Sequence, residues 1–549
     1  MVVEPILPAV PRDPRPPDPA LTAVVQFSLD GRQVEVPDDG GSLLDALRDH
    51  LGARSAKDGC SPQGQCGCCT VLVDGAARVA CVTPARRMAG RAVTTLDGLD
   101  EPVRAAWADA FCATGASQCG FCTPGIIMRL EGLRAKAPTA GDPAPVERAM
   151  QAHLCRCTGW RTISEAYALM VDGAPSPSPS ASAPDTPPRD PDAAARRAEL
   201  EGHSPQRVGP EVALGRGGFA ADQAPIDSLV AVPDGEGGWV VAGTLAEARR
   251  QAGQVQGRRT TVEARPPLEL PPGEWVRTLR TSWVEPAYLE TDVSWCEPGG
   301  TPASPLANGG AFGAKLASVA PGVARELADR HGRPVRVVLS REDCVRLGPK
   351  RPPMAAGVRA DGTGVVRVVR TPGIAAAIAA VAPGLTIEEV DQAGPPTSVS
   401  LRGAGWVEAL VLLAGGDPDG APTRVTAPDG GWAEASVDVD GRIRVRVDCG
   451  RPLDAVVVRS YAIGAAHMAL SWVTSEALTV DEAGEVHDLT IRSFGVLRSI
   501  DMPEVDVSIE AAEGDPVNGS DAVFAAVAAA VWRHQGCPPE WPTRRPLRG

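Results

Sequence analysis

The sequence lacks a basic stretch followed by an apolar run near its start, and no uninterrupted apolar segment reaches the ~18 residues of a membrane span. We therefore expect a cytoplasmic protein with no membrane partner. Acidic residues outnumber basic ones and give a net charge of −14, which argues against nucleic acid or anionic lipid as a partner. Phenylalanine and tyrosine number only seven and three, and none can be assigned to a substrate-stacking position.

Cysteine, in contrast, is concentrated in one part of the chain. Of fourteen cysteines, eight form two quartets in the first third of the sequence. The first quartet is Cys60, Cys66, Cys69 and Cys81, and the second is Cys119, Cys122, Cys155 and Cys157. Because four thiolates satisfy one [2Fe–2S] cluster, the eight predict two clusters and a role in one-electron transfer.

Disulfides and zinc are the alternatives for such cysteines, since small secreted scaffolds use the first and C-x2-C pairs often bind the second. We favour clusters because the first quartet follows the plant-type ferredoxin order, with five residues instead of four in its wider gap. Cys68 could compete with Cys69 as a ligand, although the C-x2-C spacing favours Cys66 with Cys69. The second quartet is a C-x2-C pair and a C-x-C pair separated by 32 residues of helical character.

The motifs around these cysteines carry a family resemblance. They are KDGC (Lys57–Cys60), CGCCTVLVDG (Cys66–Gly75), QCGFCTPG (Gln118–Gly125) and CRCTGW (Cys155–Trp160). Over residues 20–172, the chain resembles the iron–sulfur part of the xanthine dehydrogenase/aldehyde oxidase family of molybdenum hydroxylases. The resemblance implies a β-grasp domain for the first cluster and a four-helix bundle for the second. It also implies that Gln118 contacts the pterin cofactor.

Local patterns agree with this architecture. Alternating segments flank Asp30-Gly31 and Asp74-Gly75, which predicts two β-hairpins. Ser42, with Asp45 three residues later, predicts a capped helix reaching about Leu51. Beyond residue 100, apolar residues recur every three to four positions, which predicts four short helices.

The predicted fold class is therefore a multidomain α+β protein. We expect a disordered tail over residues 1–20, the β-grasp domain over 21–100 and the helical domain over 101–173. Proline and serine are abundant in residues 174–191, and we place a linker over 174–204. Residues 205–549 mix strand-like and helix-like segments, and the resemblance implies a shortened molybdopterin-binding-like region there.

This last region resembles the family's molybdenum-binding subunit more loosely. NGGAFGAK (Asn308–Lys315) is similar to a glycine-rich loop that lies at the molybdenum centre, and SLRGAGWVEA (Ser400–Ala409) is similar to a cofactor loop containing arginine. The resemblance implies cofactor contacts from Gly309, Gly310, Phe312, Gly313 and Arg402. Such contacts are physically reasonable, because glycine lets backbone amides approach an anionic cofactor closely.

The region also departs from the family. It is much shorter, its glycine loop contains two alanines, and the Gly-x-Gly-Glu loop that supplies the family's catalytic glutamate is absent. The nearest counterpart is the segment 518–521, in which Asp521 would be the base. The alternative is that Asp521 only caps the following helix. Glu408 and Glu476 are reserve candidates, which we otherwise expect to be exposed and solvated.

The leading hypothesis is a molybdenum hydroxylase that acts on an N-heterocycle or aldehyde, with oxygen from water. By resemblance, electrons would pass from molybdopterin through the two clusters to an external acceptor. No flavin-binding domain is evident, so the partner would be a separate flavoprotein or another acceptor, in a homo- or hetero-oligomer. The competing hypothesis is a non-catalytic two-cluster electron carrier with a degenerate C-terminal scaffold. The third hypothesis is a structural protein whose fold is stabilised by zinc.

Overall fold

A computed structural model describes residues 23–136, 143–172, 189–253, 262–416, 421–510 and 512–547. The predicted tail over residues 1–20 and the first part of the predicted linker lie outside these described residues. The sheets of the described chain are one N-terminal sheet and three C-terminal sheets, with helices between and around them.

The N-terminal sheet carries the first cysteine quartet. Its strands are β1 (Val24–Leu29), β2 (Arg32–Pro37), β3 (Thr70–Val73), β4 (Ala76–Val79) and β5 (Ala92–Thr94), in the order β2-β1-β5-β3-β4. β1 pairs antiparallel with β2, and β3 with β4, so both predicted hairpins are confirmed. Gly31 and Gly75 have φ of +79° and +75°, the left-handed conformation these two-residue turns require.

The predicted helix after this first hairpin is confirmed at its start and differs at its end. Ser42 Oγ accepts from the Asp45 amide at 3.2 Å, while the Asp45 carboxylate accepts from the Ser42 amide at 2.9 Å. These reciprocal bonds begin α1 (Leu43–Asp45). The chain then continues as a π-helical turn over Ala46–His50 instead of a regular helix.

The second cysteine quartet lies among α2 (Glu101–Thr114), α3 (Thr123–Arg134), α4 (Ala144–Met150) and α5 (Arg161–Asp172). The core of this domain is built around Trp107, which is fully buried. Its ring lies 6.1 Å from that of Phe111 and 6.3 Å from that of Tyr167 in α5. Its Nε1 donates to Glu131 of α3 at 2.9 Å, so one side chain ties three helices together.

The C-terminal region is mixed α and β, as predicted. Its helices are α6 (Pro191–Gly202), α7 (Pro210–Ala213), α8 (Ala220–Gln223), α9 (Leu245–Gln251), α10 (Ala320–His331), α11 (Arg341–Leu347), α12 (Ile374–Val381), α13 (Trp406–Ala414), α14 (Ala455–Thr474) and α15 (Ser520–His534). Its strands are β6 (Leu229–Pro233), β7 (Trp239–Ala242), β8 (Arg277–Arg280), β9 (Val293–Cys296), β10 (Val335–Val338), β11 (Met354–Val358), β12 (Gly364–Val369), β13 (Leu385–Val390), β14 (Thr423–Thr426), β15 (Trp432–Val437), β16 (Ile443–Asp448) and β17 (Val505–Ile509). They form sheets in the orders β7-β6-β10-β9, β13-β12-β11-β8 and β14-β15-β16-β17.

Helix α6 corrects the predicted linker over residues 174–204, because most of the described part of that segment is helical. The Asp190 side chain accepts from the Asp192 and Ala193 amides, and Pro191 occupies the first helical position. Arg197 is fully buried and donates to Glu201 at 2.9 Å. Overall composition predicted a linker, whereas the Asp-Pro pair is a helix-start signal.

Helix α14 is the central element of the C-terminal region and contacts the helical domain. It is long and apolar enough to cross a membrane, but its residues are buried in the protein, as in a core helix. α15 and α6 pack against it. At Gly464, a Cβ atom would lie 1.7 Å from the Cys157 carbonyl oxygen, so α14 approaches the second cysteine quartet backbone to backbone.

We predict that Gly464→Ala lowers the melting temperature, since the added methyl group must displace the Cys157 loop. Overpacking of this kind typically costs about 1–3 kcal/mol. Gly322→Ala in α10 is the matched control, because nothing lies within 4 Å of its added Cβ. It should leave the melting temperature unchanged or slightly raised. Equal melting temperatures for the two variants in differential scanning calorimetry would contradict this contact.

Candidate functional site

The first cysteine quartet is assembled by the loop before β3 and the turn after β4. Cys60 lies within hydrogen-bonding distance of Cys66 and Cys81, and Cys69 likewise contacts Cys81. All four thiols are buried and none forms a disulfide. The Gln63 amide donates to Cys60 Sγ at 3.2 Å, and the Cys81 amide donates to Cys69 Sγ at 3.4 Å. Amide dipoles aimed at sulfur stabilise the thiolate form that binds iron.

Cys68 is a fifth thiol at this site. It is fully buried and lies within hydrogen-bonding distance of Cys66, whereas Cys69 contacts Cys81 and thereby closes the quartet. The Cys68 carbonyl accepts from the Lys57 amide at 3.2 Å. This arrangement agrees with the C-x2-C register and leaves Cys68 beside the predicted cluster.

The second quartet separates into two thiol pairs. Cys119 and Cys157 have their sulfurs 3.8 Å apart. Cys122 and Cys155 hydrogen-bond each other, and this bond lowers the pKa of Cys155 to about 7. Each iron of a [2Fe–2S] cluster takes two cysteine thiolates beside two bridging sulfides, so paired thiols suit that cluster. Among the described residues, no three or more Cys, His, Asp or Glu side chains are grouped so that they could hold a single metal ion.

The two quartets are direct neighbours. The Leu154 amide, next to Cys155, donates to the Cys66 carbonyl at 2.9 Å. His153 contacts Thr70 Oγ1 at 3.1 Å, and burial lowers its pKa to about 3, with a smaller effect from Arg129. The neutral imidazole therefore fills the contact between the loops without adding charge near either predicted cluster.

The glycine-rich loop packs directly on the second quartet. Asn308 Nδ2 donates to the Cys119 carbonyl at 3.0 Å. Gly310 has φ of +79°, and a Cβ there would lie 2.9 Å from Cys119 Cβ and 3.5 Å from Cys157 Sγ. Lys315 at the end of the loop forms a buried ion pair with Glu290 at 2.8 Å. The loop predicted for the cofactor therefore forms one wall of the second cluster site.

Gln118 also links this cluster site to the C-terminal region. Its buried Nε2 donates to the Cys157 carbonyl at 2.9 Å and to Ser460 Oγ of α14 at 3.0 Å. Ser460 in turn donates to the Gly115 carbonyl at 2.6 Å. The predicted cofactor residue thus lies between the second quartet and α14.

A cavity of about 310 Å³ lies beyond the glycine-rich loop. Four predicted residues from three separate segments line it, namely Phe312, Gly313, Arg402 and Asp521. Gly309 and Gly310 do not line it, because they face Gln206 and Cys119. The structure therefore brings half of the predicted cofactor contacts to the cavity and places the others at the cluster wall.

Asp521 has both carboxylate oxygens occupied. Arg402 Nε donates to Oδ1 at 2.8 Å, and His203 Nε2 lies 2.8 Å from Oδ2. Burial by itself would raise the pKa of Asp521, but Arg402 and His203 hold it below its usual value. Asp521 is the second residue of α15 and not its cap, and its amide donates to Asn518 Oδ1 at 2.8 Å.

The reserve carboxylates are not solvated, and that expectation is wrong. Glu408 accepts from Arg351 Nε at 2.6 Å, and Glu476 accepts from Arg156 at 2.5 and 2.7 Å. Both glutamates are buried. Each is neutralised by a guanidinium, so neither is a free base at the cavity.

His203 is the site residue that sequence reasoning missed. It follows α6, in the left-handed conformation with φ of +49°, and it lines the cavity. The predicted linker over residues 174–204 includes His203, and a linker prediction points to no site residue. The Asp190-Pro191 helix start was the available signal, since a helix there brings residues 202–204 back onto the fold.

The two domains that carry the cysteine quartets, called the cysteine domains below, match known iron–sulfur families. Residues 27–91 match the 2Fe-2S iron-sulfur cluster binding domain family, and residues 95–168 match the [2Fe-2S] binding domain family. The isoquinoline 1-oxidoreductase subunit alpha of Brevundimonas diminuta is 40% identical over 147 residues, which cover 26% of this chain and 92% of that protein. The nicotine 6-hydroxylase small subunit of Paenarthrobacter nicotinovorans is 36% identical over 27% of this chain and 90% of that protein.

One larger protein matches over about a quarter of this chain, whereas one solved structure aligns over nearly all of it. Xanthine dehydrogenase of Drosophila subobscura is 40% identical over 27% of this chain, which spans only 12% of that protein. The structure of an aldehyde oxidoreductase from Desulfovibrio desulfuricans aligns over 93% of this chain and 97% of that chain, with a TM-score of 0.64 and 14% identity. At that identity, the alignment shows a shared fold for the C-terminal region as well as the cysteine domains.

We predict that Cys69→Ser loses the first cluster, whereas Cys68→Ser retains both. The reason is that Cys69, and not Cys68, contacts Cys81 to complete the quartet. Iron and acid-labile sulfide per chain measure the outcome, with the Cys449→Ser variant as a control at a buried cysteine outside both quartets. Loss of iron from Cys68→Ser together with retention by Cys69→Ser would reverse the ligand assignment.

We further predict that Gly310→Ala perturbs the second cluster selectively, because its methyl group would meet Cys119. The electron paramagnetic resonance (EPR) signal of one reduced cluster should shift or broaden while the other stays as in the wild type. Gly299→Ala, where no atom lies within 4 Å of the added Cβ, is the matched control at another positive-φ glycine. Identical spectra for Gly310→Ala and wild type would contradict the close contact.

Proposed function

This chain belongs to the xanthine dehydrogenase/aldehyde oxidase family of molybdenum hydroxylases, and we propose that it hydroxylates a small aldehyde or N-heterocycle with oxygen from water. One observation carries the proposal. Phe312 and Gly313 of the glycine-rich loop, Arg402 and Asp521 come from three separate segments and converge on one cavity, and the same glycine-rich loop contacts Cys119. The glycine-rich loop would therefore lie between the substrate site and the cluster that accepts the electrons.

The residues at this wall suit molybdopterin, which when bound supplies the two-electron oxidation of a substrate C–H bond. The glycine-rich loop offers backbone amides that can approach an anionic cofactor closely. Gln206 adds an amide donor, since its buried Nε2 has no hydrogen-bond partner among the described residues. Gln206 lies against Gly309, where a Cβ would be 2.4 Å from Gln206 Oε1. Gln118, Gln206 and the loop would hold the cofactor beside the second quartet.

The two cysteine quartets would carry electrons out one at a time. Direct contact between the quartet loops, through Leu154 and Cys66, supports a path from the second cluster to the first. A separate flavoprotein or another external acceptor would then take the electrons, in an assembly with further chains. We place the protein in the cytoplasm, where a reducing environment suits free thiols and clusters.

A second candidate function is a non-catalytic electron carrier, and the state of the carboxylates favours it. Asp521 is bound by Arg402 and His203, and its lowered pKa makes it a weak base. Glu408 and Glu476 are each buried in an ion pair. With these three carboxylates engaged, none is free to act as the family's glutamate does.

Metal content distinguishes the two functions. From a host that supplies the cofactor, a hydroxylase should contain about four irons, two per cluster, and close to one molybdenum per chain. Cys119→Ser should lose about two of those irons. Wild-type protein with about four irons and no molybdenum would overturn the hydroxylase and support the carrier. Zinc in place of iron would contradict both.

A further inference from the structure

His203 is held by an element that belongs to neither cysteine domain. It follows α6, whose Arg197–Glu201 ion pair anchors the helix, and Glu201 accepts from the Ser520 amide at 2.8 Å. The side chain of His203 remains 61% exposed while lining the cavity. An anchored backbone with an open side chain is suited to presenting a functional group to a ligand.

The contacts of His203 define its tautomer. Its Nε2 lies 2.8 Å from Asp521 Oδ2 and 3.1 Å from Asn518 Nδ2, but both Asn518 Nδ2 hydrogens are already donated to the Leu200 and Glu201 carbonyls at 2.9 and 3.1 Å. Nε2 therefore carries a proton and donates to Asp521. Nδ1 has no hydrogen bond to any described residue, and in the neutral ring it is a lone-pair acceptor.

The charges around this imidazole favour its protonated form. The hydrogen bond to Asp521 raises the pKa of His203, whereas burial and Arg402 lower it and Asp429 raises it further. Arg402 belongs to the loop before α13, Asp429 to the turn after β14 and Asp521 to α15. Glu201 of α6 also lines the cavity but is paired with Arg197. The net effect is a pKa above the ordinary value for histidine.

The remaining walls indicate the shape of a ligand. Phe312, Trp406 and Leu401 provide apolar surface, and the volume of about 310 Å³ lies at the lower end of small-molecule sites, near ~300 Å³. The Arg402 guanidinium is already engaged by Asp521, Ser520 and Met468. His203 Nδ1, in contrast, is a polar atom at this wall with no hydrogen bond to a described residue, and it can pair with an ionisable group.

We propose that His203 and Asp521 form a proton-exchanging dyad, and that the cavity binds small planar ligands carrying one acidic group. As the pH falls, Nδ1 takes a proton from solvent, and the resulting imidazolium pairs with the ligand anion on one side and with Asp521 on the other. Asp521 is then a positioning residue, not the base itself. This inference deepens the proposed function, on which it rests for the role of the cavity, by naming the proton acceptor and the ligand class.

Calorimetric titration of the full-length, cluster-loaded protein with benzoate tests the dyad, at about pH 5.5 and about pH 8.5, on either side of the ordinary histidine pKa. Wild type should bind benzoate roughly tenfold more tightly at the lower pH, because a charged hydrogen bond replaces a lone-pair repulsion. Neutral benzamide should show no such dependence. His203→Asn should abolish the pH dependence, and Asp521→Asn should lower the pH at which affinity falls.

His487→Asn is the matched control, because His487 also pairs with an aspartate, Asp481, at 2.8 Å but does not line the cavity. It should retain the wild-type pH dependence. An unchanged pH dependence in His203→Asn, or wild type that fails to bind benzoate at both pH values, would overturn the proposal. Because binding is measured whether or not molybdenum is present, failure of the hydroxylase function would appear separately, in the metal content.

Discussion

The second cysteine quartet meets the C-terminal region at positions where only a glycine fits, and the organisation of the site depends on this contact. Gly310 lies against Cys119, and Gly464 of α14 lies against the Cys157 carbonyl. A side chain at either position would push the C-terminal region away from the quartet. Because no side chain intervenes, the cavity wall packs directly on the predicted cluster site, as the proposed electron path requires.

Charge is distributed through the interior in a way that limits the available chemistry. Arg156–Glu476, Arg351–Glu408, Lys315–Glu290 and Lys350–Glu285 are ion pairs between buried side chains. Breaking such a pair is strongly destabilising because it leaves an isolated buried charge, so these carboxylates are structural. Asp521 differs, since one of its two partners is the exposed His203. That difference is why the dyad, and not a lone carboxylate, is the reactive feature of the cavity.

The sequence predicted the local features of this protein and missed those that depend on distant residues. Cysteine spacing, hairpin turns and the Ser42–Asp45 cap are encoded within a few residues, and the structure confirms the hairpins and the cap. In contrast, Arg156 and Glu476 are 320 residues apart, and no local pattern pairs them. His203 was missed because the proline- and serine-rich composition before it hid the helix start at Asp190. Separate motifs point to Arg402 and Asp521, but only the fold brings the two side chains together as an ion pair.

A redox titration of the full-length protein, followed by EPR, would show whether two clusters lie side by side in one chain. The two cysteine quartets are neighbouring sites for [2Fe–2S] clusters, the second against the C-terminal region. We therefore expect two distinct signals, each integrating to about one spin per chain when fully reduced, with mutual broadening once both clusters are reduced. A single signal, or two signals that remain unaffected by each other, would contradict the arrangement of adjacent clusters.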